Sequence, residues 1–462
     1  MCQDSSGNSS NWHGASVMKP STSALGLYLL LSTALCLVGP KPAWAGGGYF
    51  ILGYGPYAEQ MAGTSTAVGA DGSAGASNPG KLFDAGNRLD LGVLTFLVYR
   101  RIERSGATDG FNNFSITSKN GSFYMPDFGF AHRISNRFSL GLTVYANGGL
   151  NTSYDRSTGV PDTNANPGLC GHKPGNFIFG CDKFGLDLNQ VIFAPALSWK
   201  FAPGQSIGIA PLLAYQRIRI YGFQAFVPYS ERPDDVTNRG YDQAFGGGVR
   251  IGWYAHVTPW LDLGAAYASQ IYMQKFDRYQ GLLANHGRFN VPENYSIGAA
   301  VKPWDGWVVA IDIQRIDYHE VPALGNGVLN SLKDPEVNPL GSKNGSGLNW
   351  RNQTNYRLGV EYMVSPRFTL RAGYAYGRRP DDESSNSTTL NMMTPNPIVN
   401  VTLGFSWSMN DKNDLNFAYG RYLAATYKGP SSLATLPGIG PAAMESMRAF
   451  VDTIYLGWSW HM

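Results

Sequence analysis

The sequence has few charged residues and, beyond its N-terminal region, no long apolar run. Of 462 residues, 15% are charged, and the formal net charge at pH 7 is +3. This near balance gives no basis for nucleic-acid binding. No segment after the N-terminus supplies the roughly 20 uninterrupted apolar residues that a transmembrane helix needs, and the mean hydropathy is only −0.20. A helical membrane protein is therefore excluded.

The N-terminal region has the pattern of an export signal. Lys19 precedes an apolar run at 24–38, and Ala43-Trp44-Ala45 supplies a small-x-small cleavage signature. We expect residues 1–45 to comprise an N-terminal extension and a secretory signal peptide cut after Ala45, with Met1 or Met18 as the initiator. The mature chain is then exported.

Cysteine is scarce, with four residues in the whole sequence. Two of them, Cys170 and Cys181, remain after the expected cleavage, inside a segment rich in Gly, Pro and Asn. In an oxidising compartment such a pair predicts a disulfide. A metal site would need more ligands than His172 and Asp182 provide, so we expect no metal.

Alternation of apolar and polar residues dominates the rest of the chain, which also holds 56 glycines and 13% aromatic residues. In one such stretch Val401, Leu403 and Phe405 share a face opposite Thr402 and Gly404. Fourteen stretches follow this pattern, at 88–104, 121–134, 137–147, 186–201, 205–223, 242–257, 260–273, 291–302, 306–319, 352–364, 367–378, 398–410, 412–427 and 448–461.

Very short and long connections alternate between these stretches, as in outer-membrane barrels. The sequence thus predicts an all-β fold, a 14-stranded antiparallel transmembrane β-barrel spanning 87–462, with the termini and short turns in the periplasm. A soluble all-β sandwich or propeller remains open from the pattern alone, because each strand signal is weak.

Residues 46–86 differ from the barrel region because they are rich in Gly, Ala and Ser and lack sustained alternation. We interpret them as an N-terminal hatch, a plug inside the lumen. Three glycines at 46–48 let the N-terminus shift, and Tyr49 and Phe50 offer apolar surface that would line a ligand pocket. A flexible tether with a small hydrophobic anchor is the alternative.

Several motifs resemble one known family. Ser77-Asn78-Pro79-Gly80 resembles the Asn-Pro-Ala signature of the FadL/TodX family of outer-membrane hydrophobic-compound transporters, with Gly80 where Ala is usual. Further blocks agree in the family's order, and the resemblance covers residues 46–462. These blocks are residues 123–131, 147–149, 186–190, 194–195, 214–217, 279–282 and 312–316.

The resemblance implies a 14-stranded barrel closed by an N-terminal hatch. It also implies uptake of long-chain fatty acids or monoaromatic hydrocarbons by outer-loop capture, hatch rearrangement and lateral exit through the barrel wall.

Two arginines are candidate ligand contacts. Parity with Leu212 predicts that Ile218 and Ile220 face lipid, so that Arg217 and Arg219 face the lumen. Arg217 resembles the family position whose basic side chain contacts a fatty-acid carboxylate. The alternative is an internal ladder of charges that neutralise one another or pin a plug, since other charged residues share lumenal parity: Arg250, Asp262, Asp312, Arg357, Glu361 and Arg371.

Two glycine-containing motifs are candidate moving parts. Asn78, Pro79 and Gly80 are predicted to form the hatch turn, with Asn78 bonded to nearby backbone; a surface turn of a soluble domain is the alternative. Asn147, Gly148 and Gly149 end a strand that glycine would kink. This kink is the candidate lateral exit, and a simple strand-to-loop transition is the alternative.

No catalytic motif is present. Seven histidines are scattered, and no nucleophile elbow, His/Glu metal motif or phosphate loop occurs. We expect no enzyme activity, no catalytic residue and no cofactor. The expected partners are a hydrophobic small molecule, outer-membrane lipid and the barrel-assembly machinery, with the protein monomeric. A surface adhesion or receptor barrel and a general diffusion porin remain alternative functions.

Overall fold

The computed structural model describes residues 48–69, 71–109, 112–155, 167–380, 399–435 and 438–462. The predicted signal peptide lies outside these described residues. All of them fall within one compact unit, Trp44–Met462. Within the described ranges no helix has both the length and the apolar character to cross a membrane.

The strands form one closed antiparallel sheet. Each of the fourteen wall strands pairs with the next wall strand in the chain, and the first pairs with the last, from Arg88 with His461 to Ser105 with Met444. Fourteen strands build the wall, so the predicted barrel is confirmed. They are β1 (Arg88–Ser105), β3 (Ser122–Arg133), β4 (Phe138–Tyr154), β5 (Phe184–Ala202), β6 (Gln205–Tyr221), β7 (Asp242–Thr258), β8 (Leu261–Ala268), β10 (Asn294–Val301), β11 (Trp307–Ile316), β12 (Gln353–Ser365), β13 (Phe368–Gly377), β14 (Val399–Asn410), β15 (Asn413–Pro430) and β16 (Met444–His461).

Two short strands extend the sheet at its loop end. β2 (Phe114–Thr117) pairs with β1, and β9 (Tyr272–Met273) pairs with β7. Most strands join by a few residues at one end, which we call the turn end, and by long segments at the other, the loop end.

Short helices occur before the barrel and in the long loops. They are α1 (Gly55–Gln60), α2 (Ala74–Ser77), α3 (Pro167–Cys170), α4 (Ala284–Gly287), α5 (Pro322–Gly325) and α6 (Asn330–Lys333). Short 3-10 helices lie at Pro79–Phe83, Gln224–Tyr229, Pro233–Asp235, Asp277–Tyr279 and Tyr318–Glu320.

Strand alternation places large apolar side chains outside and small or polar ones inside, because successive strand residues point to opposite faces. Leu140, Leu403 and Leu456 are exposed on the outer surface. Ser139 and Thr402 of the opposite row are buried inside. The outer surface thus has an apolar band suited to contact with lipid. The small side chains of the inward row leave space in the lumen for another part of the chain.

That part of the chain comprises the N-terminal described residues, 48–69 and 71–86, which we call the inner segment. Hydrogen bonds link it to strands around the whole circumference, including β1 at Asp90, β7 at Trp253, β11 at Asp312 and β14 at Phe405. Because these strands form a closed ring and contact it with their inward residues, the inner segment lies in the lumen.

Candidate functional site

The Asn-Pro-Gly motif forms a buried turn toward the C-terminal end of the inner segment. Asn78 Oδ1 accepts a hydrogen bond from the Gly80 amide at 3.0 Å. Its Nδ2 donates to Thr66 O and to Trp253 O, both at 2.9 Å. The predicted bonding of Asn78 to nearby backbone is confirmed. The same side chain also ties the turn to β7 of the wall.

Glycines in the wall make room for this turn. A Cβ at Gly252 of β7 would lie 2.0 Å from Asn78 Oδ1. A Cβ at Gly208 of β6 would lie 2.3 Å from the carbonyl of Pro79. Real Cβ atoms do not approach other atoms this closely, so both strands need glycine where the turn packs against them.

Charged residues of the wall hold other parts of the inner segment. Asp312 Oδ2 accepts hydrogen bonds from the Ser65 and Thr66 amides at 2.7 and 2.8 Å. Arg357 donates to Gly63 O at 3.0 Å, and Arg250 donates to Ala76 O. These lumenal charges therefore bond to the inner segment, which is the kind of contact that the alternative interpretation of these residues described.

Lys81 adds a charge from within the inner segment itself. Its ammonium is buried and donates to Ser65 O, to Val68 O at 3.1 Å and to Gly69 O at 2.8 Å. Burial lowers the pKa of Lys81 to about 8. The amino group therefore stays protonated at neutral pH and donates hydrogen bonds to three carbonyls of one loop.

The wall has a gap between β3 and β4. Their pairing stops at Phe128 with Val144, although β3 continues toward Ser122 along β1 and β4 continues to Tyr154 along β5. On the loop side Lys119 N donates to Ser153 O at 2.9 Å and closes the gap again.

A bulge in β4 lies at this gap. The register with β5 shifts between Ala146 and Gly148, and Asn147 Nδ2 bonds Gln190. Gly148 has a φ of +150°, and a Cβ there would lie 1.9 Å from Tyr49 O. The glycine motif is therefore a distortion within a continuous strand. The prediction that the strand ends at these residues is therefore wrong, because β4 continues to Tyr154, and so is the alternative of a strand-to-loop transition.

The inner segment pairs with β4 where β3 does not. Ile51 N donates to Asn147 O at 3.3 Å, and Gly149 N donates to Tyr49 O at 3.2 Å. Phe50 and Gly148 form an antiparallel bridge. The N-terminal end of the inner segment therefore covers the inner side of the gap.

Tyr49 and Phe50 belong to an aromatic cluster at this point. The Tyr49 ring centroid lies 5.9 Å from that of Phe289, 5.7 Å from Tyr318 and 6.3 Å from Trp350. Phe50 packs against Tyr318 at 5.8 Å. These rings bring the predicted N-terminal residues together with two loops at the far end of the barrel.

Above this cluster lies an apolar cavity of about 970 Å³, its open mouth included. Of the described residues, twenty at strand ends and in long loops line it, and only Ser346 and Ser432 among them carry a polar side chain. The others are Leu150, Leu186, Leu188, Ile218, Ile220, Phe223, Phe226, Leu282, Leu283, Ala284, Phe289, Ala323, Val328, Leu332, Leu340, Gly347, Leu348 and Leu433. Tyr49 and Phe50 are not among these lining residues, so the prediction that they line the pocket is wrong for this cavity. Tyr49 instead contacts Phe289, which belongs to both the cavity and the aromatic cluster, and so lies between the cavity and the gap.

The predicted orientation of β6 is wrong at its loop end. Ile218 and Ile220 are buried and line the cavity. Arg217 lies exposed on the outer face, and Arg217 and Arg219 both stack on Tyr241. Ile218 and Ile220 do lie on the same face of the strand as Leu212, as predicted, but that face points inward because Leu212 is buried too. Neither arginine reaches the cavity where a ligand would lie.

A different signal in the same strand predicts the true orientation. Ile207, Ile209 and Leu213 share the parity of Arg217 and are all exposed, whereas Gly208 of the opposite row touches the inner segment. Small residues mark the inward row in the part of the strand that crosses lipid. The cavity-lining loop residues carry no such periodic signal.

The two remaining cysteines form a disulfide, Cys170–Cys181, with Cα atoms 5.4 Å apart. This confirms the predicted pairing. Between the two cysteines, Phe177 packs on Phe114 of β2 with ring centroids 4.5 Å apart, and this contact attaches the bridged loop to the loop end of the barrel.

Comparisons with known proteins agree with this architecture. The family model of the outer membrane protein transport protein family (OMPP1/FadL/TodX) matches residues 180–430, more than half of the chain. No curated protein matches the chain significantly.

Solved structures of similar fold include the P. putida toluene transporter TodX, at 17% identity over 89% of this chain and 99% of that chain, with a TM-score of 0.64. A Pseudomonas aeruginosa FadL homologue gives 14% identity over 90% and 99%, with 0.60. The Ralstonia pickettii toluene transporter TbuX gives 17% over 89% and 99%, with 0.57. At such identities these likenesses establish the fold, and the family match adds membership: the chain belongs to the outer membrane protein transport family of FadL and TodX.

Proposed function

We propose that the protein takes up small, uncharged hydrophobic molecules, of the size of a monoaromatic hydrocarbon, across the outer membrane. The lining of the cavity carries this proposal. Among the residues that the structure describes, twenty line the cavity and none of them has a charged side chain. A buried carboxylate without a partner is strongly disfavoured, so this cavity suits a hydrocarbon better than a fatty-acid headgroup.

The expected affinity fits transport. A solute with about 250 Å² of apolar surface gains about 6 kcal/mol on full burial at 25 cal/mol per Å². The loss of translational and rotational freedom opposes this gain. Binding is then weak enough for release, while the cavity still concentrates a solute that water excludes.

The proposed path runs from the cavity through the aromatic cluster to the gap. Leu150 lines the cavity only two residues beyond Gly148 of the bulge. Tyr49 and Phe50 lie between the two. A shift of residues 49–51 would therefore join cavity and gap, and the solute would leave sideways into lipid. In this proposal residues 46–86 act as the hatch and 87–462 as the barrel.

The filled lumen favours a gated transporter as the function, and it argues against a general diffusion pore. The inner segment is hydrogen-bonded to strands around the ring, including β7, β11 and β14. A porin would need an aqueous path past it. Planar-bilayer recording distinguishes the two, because a porin conducts ions steadily and the proposed transporter does not.

The substrate test compares toluene and oleate uptake in cells with and without the protein. We expect saturable toluene uptake that falls strongly in Ile218→Asp, because the new carboxylate lies in the cavity. Arg217→Ala is the matched control in the same strand and should leave toluene uptake unchanged. Saturable oleate uptake that depends on Arg217 would instead support the fatty-acid alternative and contradict the proposal.

The exit test places a bulky side chain at the gap. Ala146→Trp should slow toluene uptake, since residue 146 adjoins the unpaired stretch of β4. Ala265→Trp, on the outer face of β8 within a fully paired part of the wall, is the control. Equal uptake by both variants would contradict lateral exit while leaving the cavity assignment to the substrate test.

A further inference from the structure

The outer surface of β6 changes character along its length. Ile207, Ile209 and Leu213 are 42%, 46% and 56% exposed and form an apolar row. Arg217 and Arg219 continue the same row toward the loop end. In outer-membrane barrels the long loops face the cell exterior. The two arginines therefore lie just beyond the apolar band, at the level of the outer-leaflet headgroups.

Both guanidinium groups share one aromatic ring. Arg217 Cζ lies 4.2 Å and Arg219 Cζ 4.5 Å from the ring centroid of Tyr241. The Tyr241 hydroxyl donates to Asp187 Oδ2 at 2.6 Å. Asp187 Oδ1 accepts hydrogen bonds from Asn151 at 2.9 Å and from Asn189 at 2.8 Å. The carboxylate that Tyr241 contacts is thus engaged with other donors.

The arginine pair is left without an anion. In the part of the chain that the structure describes, no carboxylate oxygen lies within 4.0 Å of either guanidinium. Arg219 Nε, moreover, is buried and has no hydrogen-bond partner among the described residues. Two like charges held side by side repel each other unless an anion joins them.

Three other outward arginines show a different arrangement. Each of these three has its own carboxylate: Arg101 contacts Glu103 at 2.8 Å, Arg315 contacts Asp317 at 3.0 Å, and Arg421 contacts Asp452. Arg217 and Arg219 differ from these three because neither has a carboxylate partner among the described residues.

We propose that Arg217 and Arg219, held by Tyr241, bind the phosphate group of a phosphorylated glycolipid of the outer leaflet. Planar guanidinium forks bind phosphate oxygens in pairs, and a phosphate dianion matches two positive charges. Leu213 and Phe245, both more than half exposed below the arginines, would contact the acyl chains of the same molecule. That apolar floor favours a lipid over free phosphate. The inference is independent of the proposed transport activity.

The test counts lipids bound to the purified full-length mature protein by native mass spectrometry. Bisphosphorylated lipid A is compared with the same lipid after removal of both phosphates. We expect Arg217→Gln/Arg219→Gln to weaken binding of the phosphorylated lipid at least about tenfold, since charge-assisted hydrogen bonds are lost. The dephosphorylated lipid should bind both proteins alike.

Arg421→Gln is the matched control, an outward arginine that already has a carboxylate, and it should bind the phosphorylated lipid like the unaltered protein. Heat-dependent gel migration checks that every variant keeps its barrel. Equal lipid binding by Arg217→Gln/Arg219→Gln and the unaltered protein would overturn the proposal. So would displacement of the lipid by inorganic phosphate at equal concentration, which would indicate a free-anion site.

Discussion

Asn78 offers the sharpest test of how the inner segment is held in the lumen. Its side chain is fully buried and makes three hydrogen bonds, to Gly80 N, Thr66 O and Trp253 O. A hydrogen bond of this kind contributes about 0.5–1.5 kcal/mol. Asn78→Ala removes all three, so we expect the inner segment to lose about 2–4 kcal/mol of stability against local opening.

Hydrogen exchange followed by mass spectrometry measures that opening directly. A loss of this size should speed exchange of protected amides in residues 63–83 by about 30-fold to 700-fold. Amides of the wall strands should keep their protection, because their bonds to neighbouring strands are untouched. Asn78→Asp should have at least as large an effect, since its carboxylate cannot donate and would face two carbonyl oxygens.

Asn136→Ala is the control, since this residue is exposed in the turn between β3 and β4. It should leave exchange unchanged throughout. The reasoning is refuted if Asn78→Ala leaves residues 63–83 fully protected. It is also refuted if protection falls equally in the wall, because Asn78 would then stabilise the barrel and not the seating of the inner segment.

Three further expectations follow from neighbouring contacts. Gly252→Ala should release the Asn78 turn and speed hydrogen exchange there, because the new Cβ would lie 2.0 Å from Asn78 Oδ1. Gly247→Ala in the same strand is the control and should leave exchange unchanged, because a Cβ there would have nothing within 4 Å. Removing the Cys170–Cys181 bridge by double alanine substitution should weaken its loop by about 3 kcal/mol, seen as faster proteolysis there with an intact barrel. Burial lowers the pKa of Lys81 to about 8. Above that pH an inner segment released from the lumen therefore binds more protons than one that is bound there. The binding of the inner segment in the lumen should consequently strengthen from about pH 8 to 10. Protection of residues 63–83 from hydrogen exchange, relative to that of the wall strands, should rise over this range and lose that dependence in Lys81→Met; a fall would contradict it.

Much of the architecture could be predicted from local pattern. Strand number and closure follow from alternation interrupted by turn residues, because each strand must present one face to lipid and one to the lumen. The turn at Asn78 was also predictable, since Asn and Pro have local conformational preferences. The chemistry of a cysteine pair in an exported chain likewise pointed to the Cys170–Cys181 bridge.

The orientation of β6 at its loop end was not predictable from Ile218 and Ile220 alone. Within the lipid band apolar side chains face outward, as Ile209 does, whereas beyond that band the outside is polar and the apolar row faces a cavity. The polarity of the wall therefore inverts along a single strand. A period of two shows that the faces differ, but it does not show where the membrane ends.

The sequence by itself determined a closed fourteen-stranded wall, its turns and the turn at Asn78, because these depend on contacts between neighbours in the chain. Only the tertiary structure showed where the cavity lies, that the wall has a gap beside Gly148, and that Arg217 faces outward. Each of these arises where segments far apart in sequence meet, as Tyr49 meets Phe289 and Trp350. No local pattern specifies such meetings, because they depend on how the whole ring closes around its inner segment.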